Sequence, residues 1–228
     1  MSDKVAEHIL VIATRNRGKS AEIKEMLADF PVLVKDLNDF GPIPEPVEDG
    51  KTFEENAYKK ASFTAKILGL PALADDSGLL VDALKGAPGV YSARYAGPHA
   101  TDRDNNEKLL KALEGHTNRR ARFCCVLSLA VASGPALTYE AFCEGEILDS
   151  PRGANGFGYD PLFFYPLEGK TFAEMSLSEK LRVSHRGQAL GELKREFEKV
   201  LKWLGQRQAE ENMRRGANEI CMGGHGDH

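Results

Sequence analysis

Leu70-Pro71-Ala72-Leu73-Ala74-Asp75-Asp76-Ser77-Gly78 sets two adjacent carboxylates directly behind a short apolar lead-in. The lead-in reads as a short buried strand, and two carboxylates at its end are costly to hold unless a cation or a proton offsets their repulsion. Something positive is therefore expected beside them. If the strand persists, Asp75 and Asp76 point to opposite faces, so one can bind a metal or act as a base while the other orients backbone or a neighbouring group. Gly78 is expected to turn the chain sharply just after them. Asp-Asp-Ser-Gly is also ordinary turn chemistry, and the rest of the chain decides between an acidic turn and an acidic site.

Upstream, His8 to Ala13 is a compact aliphatic run ending at Thr14, and beyond Gly18 the spacing of Ile23, Met26, Leu27 and Phe30 is that of an amphipathic helix. This strand, loop and helix pattern puts Thr14-Arg15-Asn16-Arg17-Gly18-Lys19 at a helix N-terminus, where free backbone N–H groups and the positive dipole end favour an anion. Lys19 adds a full charge, and Thr14 and Asn16 offer side-chain hydrogen bonds to a phosphate. Polar residues in such a loop also serve simply to cap the helix. The loop nearly matches the Walker A pattern, since Gly18, Lys19 and Ser20 are in place. Ala13, however, stands at its first glycine, and Arg15 and Arg17 are bulky where a P-loop is compact, so a true P-loop is not expected.

Val32 to Leu37 reads as a second strand, and Pro42, Pro44 and Pro46 keep the following connection extended as far as Glu48-Asp49-Gly50. Glu48 either swings toward the carboxylate strand as an oxygen ligand for a hard cation or is a solvated loop acid. Phe53 to Leu68 reads as a helix with the small-residue stripe Ala57, Ala61, Thr64 and Ala65, suited to close packing on a flat surface. Beyond the acidic strand, Gly86 to Gly97 is turn-rich backbone, arranged around a site or a plain surface loop. Thr101 or Asp102 caps a helix bearing Leu109, Leu110 and Leu113. Arg122 to Ala132 and Ala136 to Leu148 form an antiparallel pair, so the expected class is α/β with a mixed sheet.

Gly156-Phe157-Gly158-Tyr159-Asp160-Pro161 lets an aromatic ring stand out from the backbone, either as a face on which a planar heterocycle stacks or as a plug in the core. Thr171 to Glu174 fits a capping box. Lys180, His185 and Arg186 gather donors near the start of a long helix whose inward residues run from Ala189 to Leu204, which makes sense with an acceptor-rich ligand between them. From Gly205 the periodicity fades, and 205–228 reads as a flexible tail after a single domain, 1–204. Its Cys221, His225 and His228 do not make a closed ligand set for a soft metal.

With 228 residues, 42% of them hydrophobic, the chain can bury a full core. Its longest apolar run, Cys124 to Ala132, is too short to span a bilayer, and Met1-Ser2-Asp3-Lys4 lacks a signal-peptide pattern. Four cysteines without a disulfide framework suit a reducing compartment, and a cytoplasmic location is expected. A net charge of -4 argues against broad nucleic-acid binding, so no nucleic acid and no membrane partner are expected, and any anionic ligand should be small.

Together these segments supply a phosphate cradle, a carboxylate centre suited to Mg²⁺, a stacking platform and a donor cluster, the parts of a nucleoside triphosphate site. A binding module without chemistry is disfavoured because Asp75 and Asp76 repel a phosphate unless a metal intervenes. Thr14 to Lys19, Phe53-Glu54-Glu55-Asn56-Ala57, Ala74 to Leu79, Gly89 to Tyr95, Gly156 to Pro161 and Ser184-His185-Arg186-Gly187 follow one another in an order that resembles the inosine triphosphate pyrophosphatase family, from about His8 to Leu204. The family comprises the non-canonical purine nucleoside triphosphate pyrophosphatases, which hydrolyse XTP, ITP and dITP. The resemblance implies a long curved mixed sheet flanked by helices, two lobes around a central cleft, and a homodimer. It implies that Thr14, Asn16 and Lys19 hold the triphosphate, that Asp76 is the catalytic carboxylate at the metal, and that Ser77 touches substrate. Phe157, Gly158, Tyr159, Asp160, Lys180, His185 and Arg186 would hold the base. Arg15 departs from the usual family loop, which has a glycine there.

Overall fold

The computed structural model describes residues 8–44 and 46–222. The expectations on Met1 to Lys4, on His225 and His228, and on the side chain of Cys221 lie outside the described residues. β1 (His8–Ile12), α1 (Arg17–Leu27), β2 (Val32–Asp36), α2 (Phe53–Leu68), β3 (Ala72–Val81) and α3 (Asp102–Ala112) make up the first half. β4 (Arg120–Ala130) and β5 (Leu137–Ile147) form a long hairpin, followed by the short β6 (Phe163–Tyr165) and β7 (Lys170–Thr171). Three helices close the chain: α4 (Leu177–Val183), α5 (His185–Arg195) and α6 (Phe197–Met222). The described strands form one sheet in the order β2-β1-β3-β4-β5-β6-β7, with β1 parallel to β2 and β3 and every later neighbour antiparallel. This is the expected mixed α/β architecture.

β3 is longer than its apolar lead-in suggests. It pairs with β4 without interruption from Ala72↔Ala130 to Val81↔Ala121, so Asp75 and Asp76 lie mid-strand and not at a strand end. Nor does the chain turn at Gly78. A Cβ there would overlap the Gly89 carbonyl oxygen, Ser92 Oγ and the Phe53 ring, so this glycine allows a close approach rather than a bend. The approaching segment is the 3₁₀ turn Gly89–Arg94. β1 pairs only with Ala72 and Leu73 of β3, and the turn docks farther along, where Ser92 Oγ accepts from the Leu79 N–H at 2.9 Å.

Because side chains alternate along a strand, β3 serves two faces. On one, Leu73 joins a core with Ile23 and Leu27 of α1, Leu190 and Leu193 of α5, and Phe197 and Leu204 of α6. Leu79 and Val81 join a second core with Leu109, Phe163 and Phe172. Each fully buried leucine in these clusters contributes about 1.5–3 kcal/mol. Between the two cores the same face of β3 carries Asp75 and Ser77, and this polar gap separates the two lobes. On the other face, Ala72 and Ala74 pack against Ala61 and Ala65, and the small-residue stripe lets α2 lie close to the strands, as expected.

The long C-terminal helix expected from Ala189 to Leu204 is two helices, α5 and α6, parted at Glu196. Gly205 does not end α6, and residues 205–222, read as a tail, continue it. Leu204 is buried while Met213 is 68% exposed, so the fading periodicity marks where the helix leaves the core and not where it stops being helical. Cys124, Cys125 and Cys143 are buried and free, as core residues. No helix among the described residues is long and apolar enough to cross a membrane.

Candidate active site

The polar gap on β3 is filled by a chain of buried charges. Arg186, in the first turn of α5, donates from Nε to Asp75 Oδ2 at 2.9 Å, from Nη2 to Asp75 Oδ1 and Ser77 Oγ at 3.2 and 3.3 Å, and from Nη1 to Glu22 Oε2. Lys19 of α1 also pairs with Asp75. Lys180, in the last turn of α4, reaches Glu22 Oε1 at 2.8 Å and Asp160 Oδ2 at 2.6 Å. Ser184 links α4 to α5: its N–H bonds back to the Lys180 carbonyl while its hydroxyl oxygen caps α5. A tight junction thus brings Lys180, His185 and Arg186 to one place.

The balance of burial against partners sets each charge. Burial pushes the Asp75 carboxyl up, but Arg186 and Lys19 outweigh it and hold it well below the usual carboxylate range. Glu22 is held below its usual range in the same way, burial being overcome by Arg186 and Lys180. For Asp160 burial wins over Lys180 and the carboxyl is raised. Burial, with Arg186 adding to it, keeps His185 well below 6.5 and therefore neutral. Its ring stacks on Phe123 at 4.5 Å and its Nδ1 has no hydrogen-bond partner. Three cations, Lys19, Lys180 and Arg186, thus face three carboxylates, Asp75, Glu22 and Asp160.

A cleft of about 120 Å³ opens on this network, lined by Asn16, Lys19, Ser77, Phe157, Gly158, Tyr159, Asp160, Lys180, His185 and Arg186 among others. Ten of the residues singled out from the sequence therefore meet in one place. Phe157 lies over Lys180, whose Nζ is 4.5 Å from the ring centroid, and rests against Gly18, where a Cβ would collide with the ring. Arg186 has engaged four of its five N–H groups and Lys180 two of its three, so these two side chains have few donors to spare.

Thr14, Asp76 and Glu48 do not line the cleft. Thr14 Oγ1 accepts from the Asn16 N–H at 3.1 Å, and Asn16 Oδ1 caps α1 by accepting from the Lys19 N–H at 3.0 Å. Asp76 lies on the α2 face of β3, where Lys60 Nζ donates to its Oδ1 at 2.6 Å and Asn56 Nδ2 to its Oδ2 at 3.4 Å. Burial outweighs Lys60 and raises the Asp76 carboxyl, while Asp76 and Glu48 outweigh burial at Lys60 and raise the ammonium. Glu48 Oε1 meets the same ammonium at 3.2 Å. Two carboxylates therefore converge on one cationic position, although no cluster of three or more His, Cys, Asp or Glu suited to a metal occurs among the described residues. Mg²⁺ commonly takes one or two carboxylates and fills its shell with water and substrate phosphate, so this donor set fits it.

Glu22, Lys60 and Asn56 hold these charged residues in place, and no role is read for them from the sequence, where Asn56 stands only as part of Phe53 to Ala57. Glu22 had a signal: it falls three residues after Lys19 and four before Met26, on the inward stripe of α1, where a carboxylate needs partners. Arg15 is not among the residues that line the cleft, and it donates to the Leu37 carbonyl at 3.0 Å, tying the loop to the residue after β2. Ser20 donates to Asp36, so the hydroxyl that would serve a metal in a P-loop is committed elsewhere.

The Ham1 family matches residues 10–196. The chain belongs to the Ham1 family. A dITP/XTP pyrophosphatase of Syntrophobacter fumaroxidans is 73% identical over 220 residues, covering 96% of this chain and 95% of its own. A dITP/XTP pyrophosphatase of Desulfotalea psychrophila is 59% identical, covering 89% of this chain and 91% of its own. Among solved structures, a HAM1 protein from Coxiella burnetii superposes with a TM-score of 0.77 at 45% identity, covering 84% of this chain and 99% of that one. Ham1 membership agrees with the family resemblance carried by the six motifs.

Proposed function

We propose that this chain hydrolyses the non-canonical purine nucleoside triphosphates XTP, ITP and dITP to the monophosphate and pyrophosphate, clearing deaminated purines before they enter DNA or RNA. The observation that carries this reading is the division of labour across β3: a charge-balanced cleft with an aromatic lid on the Asp75 side, and a carboxylate pair on the Asp76 side. The names of close relatives support the same chemistry.

In this reading Asn16 and the start of α1 orient the triphosphate, and Lys19 screens its charge. Phe157 stacks on the base. Spare donors of Lys180 and Arg186 and the neutral His185 select a 6-oxo purine, because a 6-amino group would oppose donor to donor. Asp76 takes the proton of the attacking water as the bond between the α-phosphorus and the bridging oxygen breaks and pyrophosphate leaves. Asp76 and Glu48 would hold Mg²⁺, which when bound would supply charge neutralisation and polarisation at the phosphates. The enzyme is proposed to work in the cytoplasm as a homodimer, and its buried free cysteines suit a reducing compartment.

The test is product analysis with Mg²⁺ over ITP, XTP, dITP, GTP and ATP, with light scattering for the dimer. Pyrophosphate released preferentially from ITP, XTP and dITP is the expected result. Orthophosphate as the first product, or equal rates on ITP and ATP, would overturn the reading.

A further inference from the structure

The position of Phe157 depends on the residue that follows it. Gly158 stands at φ +61°, and both its backbone polar groups are tied to one helix. Its N–H donates to Asp102 Oδ2 at 2.7 Å, and its carbonyl accepts from Asn106 Nδ2 at 2.9 Å. Asp102 and Asn106 are four residues apart on α3, hence on one side of the helix. Asn105, between them, serves a second loop: its Oδ1 accepts from the Ala96 N–H at 2.8 Å and its Nδ2 donates to the Ala93 carbonyl at 3.2 Å. α3 therefore grips two loops that both line the cleft, and the Tyr159 hydroxyl joins them by donating to the Ser92 carbonyl at 2.8 Å.

From the other side, the Phe157 N–H is held by Asp160 Oδ2 at 2.9 Å, within the charge network. The backbone that carries the ring is thus anchored on both sides, at Phe157 through Asp160 and at Gly158 through α3. Without the second, the segment between Gly156 and Gly158, both at positive φ, would regain conformational freedom that binding must then remove. Such a loss falls on binding rather than on the chemical step.

We propose that α3 positions the base platform: Asp102 and Asn106, by holding both polar groups of Gly158, set where Phe157 stands over a bound purine. The proposal rests on the reading of Phe157 as a stacking face. Both are positioning residues that act through Gly158, and Asp102 is exposed beyond the N-cap Thr101, so its removal leaves the helix cap intact.

A double-mutant cycle on the full chain tests this, with steady-state kinetics on ITP and a melting curve for each variant. Asp102→Ala and Asn106→Ala are expected to raise KM by about tenfold each, the worth of a hydrogen bond to a charged or buried group, with kcat held within about twofold. Asp102→Asn keeps an acceptor oxygen and should restore the original KM. In the Phe157→Ala background neither substitution should raise KM further. A Phe157→Ala variant with normal KM would overturn the stacking reading and this proposal with it. If Phe157→Ala does raise KM, the α3 proposal alone fails on any of three results: the Asp102 and Asn106 variants melt lower at unchanged KM, they lower kcat instead, or their effect persists without the ring.

Discussion

Arg186 and Asp75, 111 positions apart in the chain, meet as a buried two-point pair, with Nε to Oδ2 at 2.9 Å and Nη2 to Oδ1 at 3.2 Å. The pair joins the first turn of α5 to the middle of β3. Removing one partner strands the other charge in a low-dielectric interior. Asp75→Asn is therefore expected to cost about 3–5 kcal/mol, read as a lower urea midpoint at unchanged slope. A loss below about 1 kcal/mol would mean that water reaches the pair.

Asp76→Asn should behave in the opposite way. Burial raises its carboxyl, so a neutral isostere relieves a desolvation cost, and Lys60 keeps Glu48 as a partner at 3.2 Å. The urea midpoint is expected to hold or rise while pyrophosphate release falls at least about 100-fold. Near-normal turnover would take Asp76 out of the reaction.

His185 makes a pH prediction whose sign follows from its lowered pKa. The folded protein keeps it neutral, under burial and the charges of Arg186, Lys180 and Lys19, with Asp75 opposing them, while the unfolded chain takes up a proton near 6.5. Its contribution to stability is present above 6.5 and is lost as pH falls toward the folded pKa, at a slope of about 1.4 kcal/mol per pH unit. Comparing His185→Gln with the parent by denaturation at pH 7.5 and pH 5.5 isolates this slope. Parallel losses in the two proteins would show His185 titrating normally.

Glu22 holds Lys180 and Arg186 together, and Glu22→Gln turns an amide N–H₂ toward one of these donors. The ratio of kcat/KM for ITP over ATP is expected to shrink by at least about tenfold. A variant that keeps the parent's ratio would place base discrimination elsewhere.

Chelation with EDTA is expected to abolish turnover while the chain stays folded, because Lys60 already pairs with both Asp76 and Glu48. Glu48→Gln should raise the Mg²⁺ needed for half-maximal rate by at least about tenfold, measured by metal titration at fixed nucleotide. An unchanged requirement would exclude Glu48 as a ligand.

Where the cause is local, sequence alone determines the outcome. Thr52 caps α2 and Gly69 ends it in the left-handed region, so that helix has the bounds its sequence predicts. The loop at α1 is legible from strand, break and periodicity, and the opposite facing of Asp75 and Asp76 follows from the two-residue repeat of any strand. The length of β3 is less legible, because Asp-Asp-Ser-Gly is turn chemistry until β4 pairs across all of it. Only the tertiary structure decides which charge neutralises which. Glu22 meets Arg186 across 164 positions, Arg15 bonds to the Leu37 carbonyl, and Lys60 reaches Asp76 because Ala57, Ala61 and Ala65 let α2 lie close to the sheet. Periodicity records which face of an element is buried, whereas an ion pair depends on the distance between two faces, and packing sets that distance.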